Sequence, residues 1–181
     1  MFEEFMGIPA HPLVLHAAVV FVPLLALLTI GYALVAPIRP HTRWVLGLLA
    51  LAAPVTALLA KLSGDAFFDR LRSANRVTPE FIPKLEAHQQ FGNYTLYATI
   101  ALAIVALALV WFVPPRVADP SATDPSATET SATEANATGG GGTGRALTLA
   151  LQVLSLVAAA IAVYYVIRTG DSGAKAVWEG Q

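Results

Sequence analysis

Three histidines and two aspartates at the ends of the apolar segments of this 181-residue sequence carry the side chains that could bind a metal ion or haem. His11 and His16 open the first apolar segment, His88 precedes the third, Asp65 follows the second and Asp171 follows the fourth. Imidazole is the commonest metal ligand in proteins and also binds haem iron axially. No arrangement resembles a nucleophile with its base or a phosphate-binding loop, which favours a binding protein over an enzyme.

His16 and His88 form the first candidate pair for a cofactor. An ionisable residue inside an uncharged apolar segment normally faces the interior of a helix bundle, so we expect His16 to point inward. His88 shares a helical face with Phe81 and Leu85, which predicts an inward position for it as well. Two inward histidines on different helices could bind haem b. A divalent metal ion is the alternative, and its predicted ligands are His11, His16, Asp65, His88 and Asp171.

The same histidines also have a purely structural interpretation. Buried polar groups need hydrogen-bond partners whether or not they have a function. His16 and His88 would then lock the helices of a non-catalytic membrane scaffold or assembly subunit. A small transporter is disfavoured, because no apolar segment contains the Asp, Glu, Lys or Arg that substrate pathways usually require.

Four long apolar segments position these residues. Only 13% of the chain is charged, about half of what soluble domains carry, and the charges lie between the segments. A helix needs about 20 apolar residues to cross a bilayer, and barrel strands would show an alternation that is missing here. The sequence therefore predicts an all-α integral membrane four-helix bundle with both termini on one side. The predicted spans are 14–36, 44–60, 94–113 and 146–167.

The connections between the spans differ in character. Segment 63–92 is predicted to be a structured loop, because Phe67, Phe68 and Leu71 recur at helical spacing as in a short interfacial helix. Pro83 suits a helix start, so the third helix is expected to begin near it. Segment 119–144 repeats Ser-Ala-Thr without a large apolar residue, which predicts a disordered tether between helices three and four.

Composition limits the partners. A net charge of −1 does not suggest nucleic acid, and the absence of cysteine excludes disulfides and thiolate ligands. The lipid bilayer is the expected environment, and a homo-oligomer stays open. Small residues at helical spacing are expected to face one another in the bundle. In the third helix they are Thr95, Thr99, Ala103 and Ala106.

Four motifs together resemble a known family. They are the opening Gly-Ile-Pro-Ala-His-Pro-Leu-Val-Leu-His-Ala, the Ser-Gly-Asp after the second span, the lone His88 before the third, and the closing Thr-Gly-Asp-Ser-Gly-Ala-Lys-Ala-Val-Trp. In order and spacing they resemble the bacterial four-helix membrane family DUF2231. The resemblance covers almost the whole chain except segment 119–144.

The resemblance carries three expectations. Similar members can be fused to Rieske-type iron–sulfur domains, which implies membrane redox work with a Rieske-type or other redox protein as partner. Many members have basic first and third loops, which implies a cell-membrane protein whose termini and histidine end are extracytoplasmic. In this chain, however, the side of the membrane that holds the termini carries more Lys and Arg than the other side. The family usually has His at the position of Asp171, which puts a ligand at that position in doubt.

Overall fold

A computed structural model of the chain describes residues 4–5, 8–115 and 141–178. Four helices, each long and apolar enough to cross a membrane, make up nearly all of this part. The predicted all-α four-helix membrane fold is thereby confirmed. Two short strands, β1 (Glu4–Phe5) and β2 (Ile8–Pro9), pair antiparallel before the first helix. The helices are α1 (Ala10–Leu34), α2 (Arg39–Ser73), α3 (Ile82–Phe112) and α4 (Gly141–Trp178).

The connection from α1 to α2 is a short 3₁₀ turn over Ala36–Ile38. The last carbonyls of a helix have no partner within the helix. Arg39 supplies donors for two of them, because its Nε donates to the Tyr32 carbonyl and its Nη2 to the Ala33 carbonyl, each at 2.9 Å. This capping lets α2 begin directly after the turn.

The end of α2 shows where the predicted interfacial helix lies. The helical spacing of Phe67, Phe68 and Leu71 is real, but these residues continue α2 without a break instead of forming a separate element. The helix ends in a Schellman motif, in which Asn75 adopts a left-handed φ of 52° and the Arg76 amide donates to the Leu71 carbonyl at 3.0 Å. Only residues 74–81 connect α2 to α3.

The other predicted boundaries agree with the helices in part. The expected start of the third helix near Pro83 is confirmed, since α3 begins at Ile82. The predicted tether 119–144 lies outside the described residues except for its last four, which form the start of α4. The 35 residues of α2 extend about 50 Å, whereas the hydrocarbon core is about 30 Å thick. Parts of the helices therefore project beyond it.

The helices form a four-cornered bundle. α1 and α3 each pack beside both α2 and α4, so α1 and α3 approach each other only across the diagonal. Small residues line the centre and let the backbones approach closely. Thr95, Thr99, Ala103 and Ala106 are all buried, as their spacing predicts. Large apolar side chains such as Leu27, Ile104 and Val153 are exposed on the outside, where lipid would cover them.

Candidate functional site

A cavity of about 410 Å³ lies at the end of the bundle where α1 and α3 begin and α2 and α4 end. All four helices contribute to its walls, which are mostly apolar. Its size falls in the range of small-molecule and cofactor sites, roughly 300–1,000 Å³. His11 and His88 line it from α1 and α3, and Asp65 lines it from α2.

His11 is held by the end of α2. Its Nδ1 lies 3.1 Å from the Ala60 carbonyl oxygen and 3.2 Å from Ser63 Oγ. Ser63 uses its own proton to donate to the Ala60 carbonyl at 3.0 Å. Both oxygens near Nδ1 therefore act as acceptors, which assigns the proton of a neutral His11 to Nδ1 and leaves the lone pair on Nε2.

His88 is held in the same way by α4. Its Nδ1 lies 3.0 Å from Ser172 Oγ, and Ser172 donates its proton to the Thr169 carbonyl at 3.0 Å. This hydrogen-bond pattern assigns Ser172 Oγ as the acceptor of the His88 Nδ1–H. The same assignment leaves the lone pair of a neutral His88 on Nε2.

The two imidazole rings meet inside the bundle. Their centroids are 6.4 Å apart, and the rings are nearly perpendicular at 80°. Phe67 stacks on His11 with a centroid distance of 6.5 Å and an interplanar angle of 16°. Within the described parts of the chain, no hydrogen bond engages Nε2 of either histidine. Two half-buried imidazoles thus offer an unused lone pair each beside the same cavity.

Glycines make room for both rings. A Cβ atom added at Gly64 would come within 2.9 Å of His11 Cε1, and one added at Gly173 would come within 2.9 Å of His88 Cε1. Real Cβ contacts essentially never reach that distance. Each histidine therefore depends on a Ser-Gly pair of the neighbouring helix: the serine binds Nδ1 and the glycine admits the ring edge.

Asp65 connects two helices at the wall of the cavity. Its Oδ1 accepts a hydrogen bond from Gln89 Nε2 of α3 at 3.1 Å, and its Oδ2 forms an ion pair with Lys61 one turn earlier on α2. The carboxylate is about one-third exposed. Both of its oxygens are already engaged, so the present arrangement gives Asp65 a structural role.

His16 and Asp171 lie outside this cluster. The expectation that His16 faces the bundle interior is wrong: its side chain is exposed, and its Nδ1 donates to the Pro12 carbonyl of its own helix. Asp171 is exposed as well and pairs with Lys175 at 2.9 Å on the surface of α4. Neither residue lines the cavity.

The predicted ligand set is therefore only partly assembled. Of its five residues, the fold brings His11, Asp65 and His88 to one cavity. Among the described residues, no group of three or more His, Cys, Asp or Glu side chains is arranged to hold a metal ion. Binding of a metal or of haem by any of these residues stays a prediction.

The residues that hold the histidines are not among the predicted ligands. Ser63, Gly64, Ser172 and Gly173 occur in the motifs that resemble the family, but the sequence alone assigns them no role. The available signal is the Ser-Gly dipeptide that recurs at residues 63–64 and 172–173, each time near the end of an apolar segment.

The fold and the cavity define an integral membrane protein built on four apolar helices. Residues 7–181, essentially the whole chain, match the family described as Predicted membrane protein (DUF2231). The chain belongs to this family. It matches no curated protein and no solved structure.

Proposed function

We propose that this protein binds haem b between His11 and His88 and works in electron transfer at the membrane. One observation carries the proposal: two imidazoles from diagonally opposed helices meet over a mostly apolar cavity, and no described residue hydrogen-bonds to the Nε2 of either ring. The predicted pair His16 and His88 is replaced by His11 and His88, because only His11 reaches the interior.

The number of ligands favours haem over a bare metal ion. A divalent ion such as zinc takes at least three protein ligands, even in catalytic sites. Among the described residues, two imidazoles have an unengaged Nε2, and no third ligating side chain is in position. Haem b needs no more than two ligands from the protein. His11 and His88 would hold it, so a pair of imidazoles suits haem better than an isolated ion.

The surroundings of the histidines also support iron ligation. A ligating imidazole normally donates its other N–H to a carbonyl or hydroxyl oxygen, which fixes its orientation and raises its basicity. His11 and His88 both make this contact, through Ser63 with Ala60 and through Ser172. Bound haem would supply one-electron chemistry, and the protein would tune its potential through these contacts and the apolar cavity.

The cellular setting belongs to the same proposal. We place the protein in the cell membrane with its histidine end extracytoplasmic. A Rieske-type or other redox protein would exchange electrons with it there.

A second candidate function is a membrane scaffold or assembly subunit with structural histidines. It is supported by the contacts themselves, because His11 joins α1 to α2 and His88 joins α3 to α4. In that role both Nε2 atoms would stay unused. A partner protein would then co-purify, and loss of either histidine would impair folding alone.

Spectra of the detergent-purified protein, expressed with ample haem, separate the two functions. We expect a Soret band and reduced-minus-oxidised bands in the wild type. Both should disappear in His11→Ala and in His88→Ala. His16→Ala is the matched control, since His16 lies on the same helix as His11 but on its exposed surface, and it should keep the spectrum.

Two outcomes would disprove haem binding. The first is a colourless wild type that also fails to take up added haem while unfolding cooperatively. The second is stoichiometric non-haem metal in elemental analysis without a Soret band, which would assign a bare ion to the site.

A further inference from the structure

The two histidines are held by the same local arrangement on different helices. In each, Nδ1 donates to a serine hydroxyl, and that hydroxyl donates to the carbonyl three residues earlier. In each, the residue after the serine is a glycine that lies against ring atom Cε1. The same serine, carbonyl and glycine arrangement thus surrounds both histidines, which indicates that the two helix pairs are related.

A single shift in residue number relates α1 to α3. The shift of 77 residues that takes His11 to His88 also takes three of the other four cavity-lining positions of α1 onto cavity-lining positions of α3. These pairs are Pro12 with Gln89, Leu15 with Gly92 and Ala18 with Thr95. The same shift relates buried Val22, Leu25 and Ala26 to buried Thr99, Leu102 and Ala103.

A second shift relates α2 to α4. The shift of 109 residues that takes Ser63 to Ser172 also matches positions along the cavity wall. These pairs are Ala57 with Val166, Ala60 with Thr169 and Gly64 with Gly173. In the core, it relates Leu46, Ala50 and Ala53 to Ser155, Ala159 and Ala162, all of which are buried.

We infer that the bundle consists of two equivalent helical hairpins, α1–α2 and α3–α4, related by a pseudo-two-fold axis along the bundle. The packing order agrees, because a two-fold rotation exchanges α1 with α3 and α2 with α4 and keeps every neighbour relation. The cavity then lies on the axis. Ser63 and Ser172 are equivalent positioning residues, each of which holds the Nε2 of its histidine toward a shared ligand.

This inference rests on the proposed haem site and deepens it, because His11 and His88 would hold one shared cofactor as equivalent residues. The hairpins differ in the polarity of one wall of the cavity. Lys61, Asp65 and Gln89 form a polar network between α2 and α3. The equivalent positions between α4 and α1 are Gly170, Ala174 and Pro12. Any polar edge of the ligand is therefore expected on the α2–α3 side.

The test observes the histidines without any ligand. The full chain is labelled with ¹⁵N-histidine and purified in detergent without haem. Resonances are assigned with His→Ala variants of the four histidines. We expect His11 and His88 both to carry the proton on Nδ1. Ser63→Ala should shift the His11 Nδ1–H resonance alone, and Ser172→Ala should shift that of His88 alone by a similar amount.

Ser73→Ala is the matched control. Ser73 also donates its hydroxyl proton to a carbonyl three residues earlier on α2, Arg70 O at 3.0 Å, but it lies on an exposed position away from the cavity. It should shift neither resonance. The inference is overturned if either ring carries its proton on Nε2, or if only one of the two serine variants shifts its histidine.

The two proposals fail separately. If the serine variants behave equivalently and no Soret band is ever obtained, the paired half-sites stand and haem binding is disproved. If the Soret band is obtained and the serine variants behave unequally, haem binding stands and the equivalence of the hairpins is disproved.

Discussion

His11 and His88 are 77 positions apart in the chain, yet their imidazole rings meet edge to face with centroids 6.4 Å apart. The contact spans the diagonal of the bundle, where α1 and α3 otherwise approach each other little. Each ring reaches this position because a glycine of its neighbouring helix leaves space for it. The meeting of the two rings is therefore a property of all four helices together.

Alanine at either glycine should destabilise the protein. In a helix, alanine is normally about 1 kcal/mol more favourable than glycine. At Gly64 or Gly173, however, the new Cβ would lie 2.9 Å from a histidine ring, and the ring would have to give up its Nδ1 hydrogen bond to move away. We expect a net loss of roughly 1–3 kcal/mol in the free energy of unfolding, measured by denaturation in detergent micelles.

Two other glycines provide the controls for this prediction. A Cβ added at Gly47 of α2 or at Gly170 of α4 would meet no heavy atom of the described structure within 4 Å. Gly47→Ala and Gly170→Ala should therefore be neutral or stabilising. Equal effects at all four glycines would show that the histidine rings are not confined.

Removal of the Tyr32 hydroxyl should weaken the opposite end of the bundle. Tyr32 is fully buried, and its hydroxyl donates to the Val113 carbonyl at 3.1 Å, which ties α1 to the end of α3. Tyr32→Phe leaves that carbonyl without this donor and should cost about 1–3 kcal/mol of unfolding free energy. Tyr97→Phe is the control, because Tyr97 is 64% exposed. A similar loss of unfolding free energy in Tyr97→Phe would show that the buried hydrogen bond of Tyr32 is not the cause.

Asp65 and Gln89 should behave as a coupled pair. Their hydrogen bond joins α2 to α3, but the carboxylate is about one-third exposed and its ion pair with Lys61 is screened by solvent. We expect Asp65→Ala to cost no more than about 1 kcal/mol. In a double-mutant cycle with Gln89→Ala the two losses should not add. Asp171→Ala, at an exposed site, should change the free energy of unfolding less. If the losses of Asp65→Ala and Gln89→Ala add strictly, the two residues are not coupled.

Thiol labelling tests the proposed orientation. The chain contains no cysteine, so each single-cysteine variant has one reactive thiol. A membrane-impermeant maleimide added to intact cells should label Thr78→Cys, in the connection between α2 and α3. It should label His41→Cys, at the other end of the bundle, only after permeabilisation. The reverse pattern would place the termini and the histidine end in the cytoplasm.

The errors in the site prediction have a geometric origin. His11 and His16 are five residues apart, which places them about 140° apart around a helix, so both cannot face the same interior. His11 shares its face with the buried Ala18, Val22 and Leu25. Residue spacing shows that only one of the two histidines can face inward, but the choice between them depends on which face of α1 packs against the other helices. The depth of His16 in the apolar segment favours it in the sequence, yet a bilayer helix also has faces exposed to lipid.

The sequence by itself determined the number of helices, their approximate positions and the end of the bundle that holds His11, Asp65 and His88. Apolar length and the absence of charge are local properties, and membrane insertion depends mainly on them. Only the tertiary structure decided which histidine faces inward and which serine holds it. Contacts such as His11 with Ser63 and His88 with Ser172 depend on how each helix is rotated against its neighbours. That rotation is set by packing of small residues from several helices at once, which no single segment of the chain encodes.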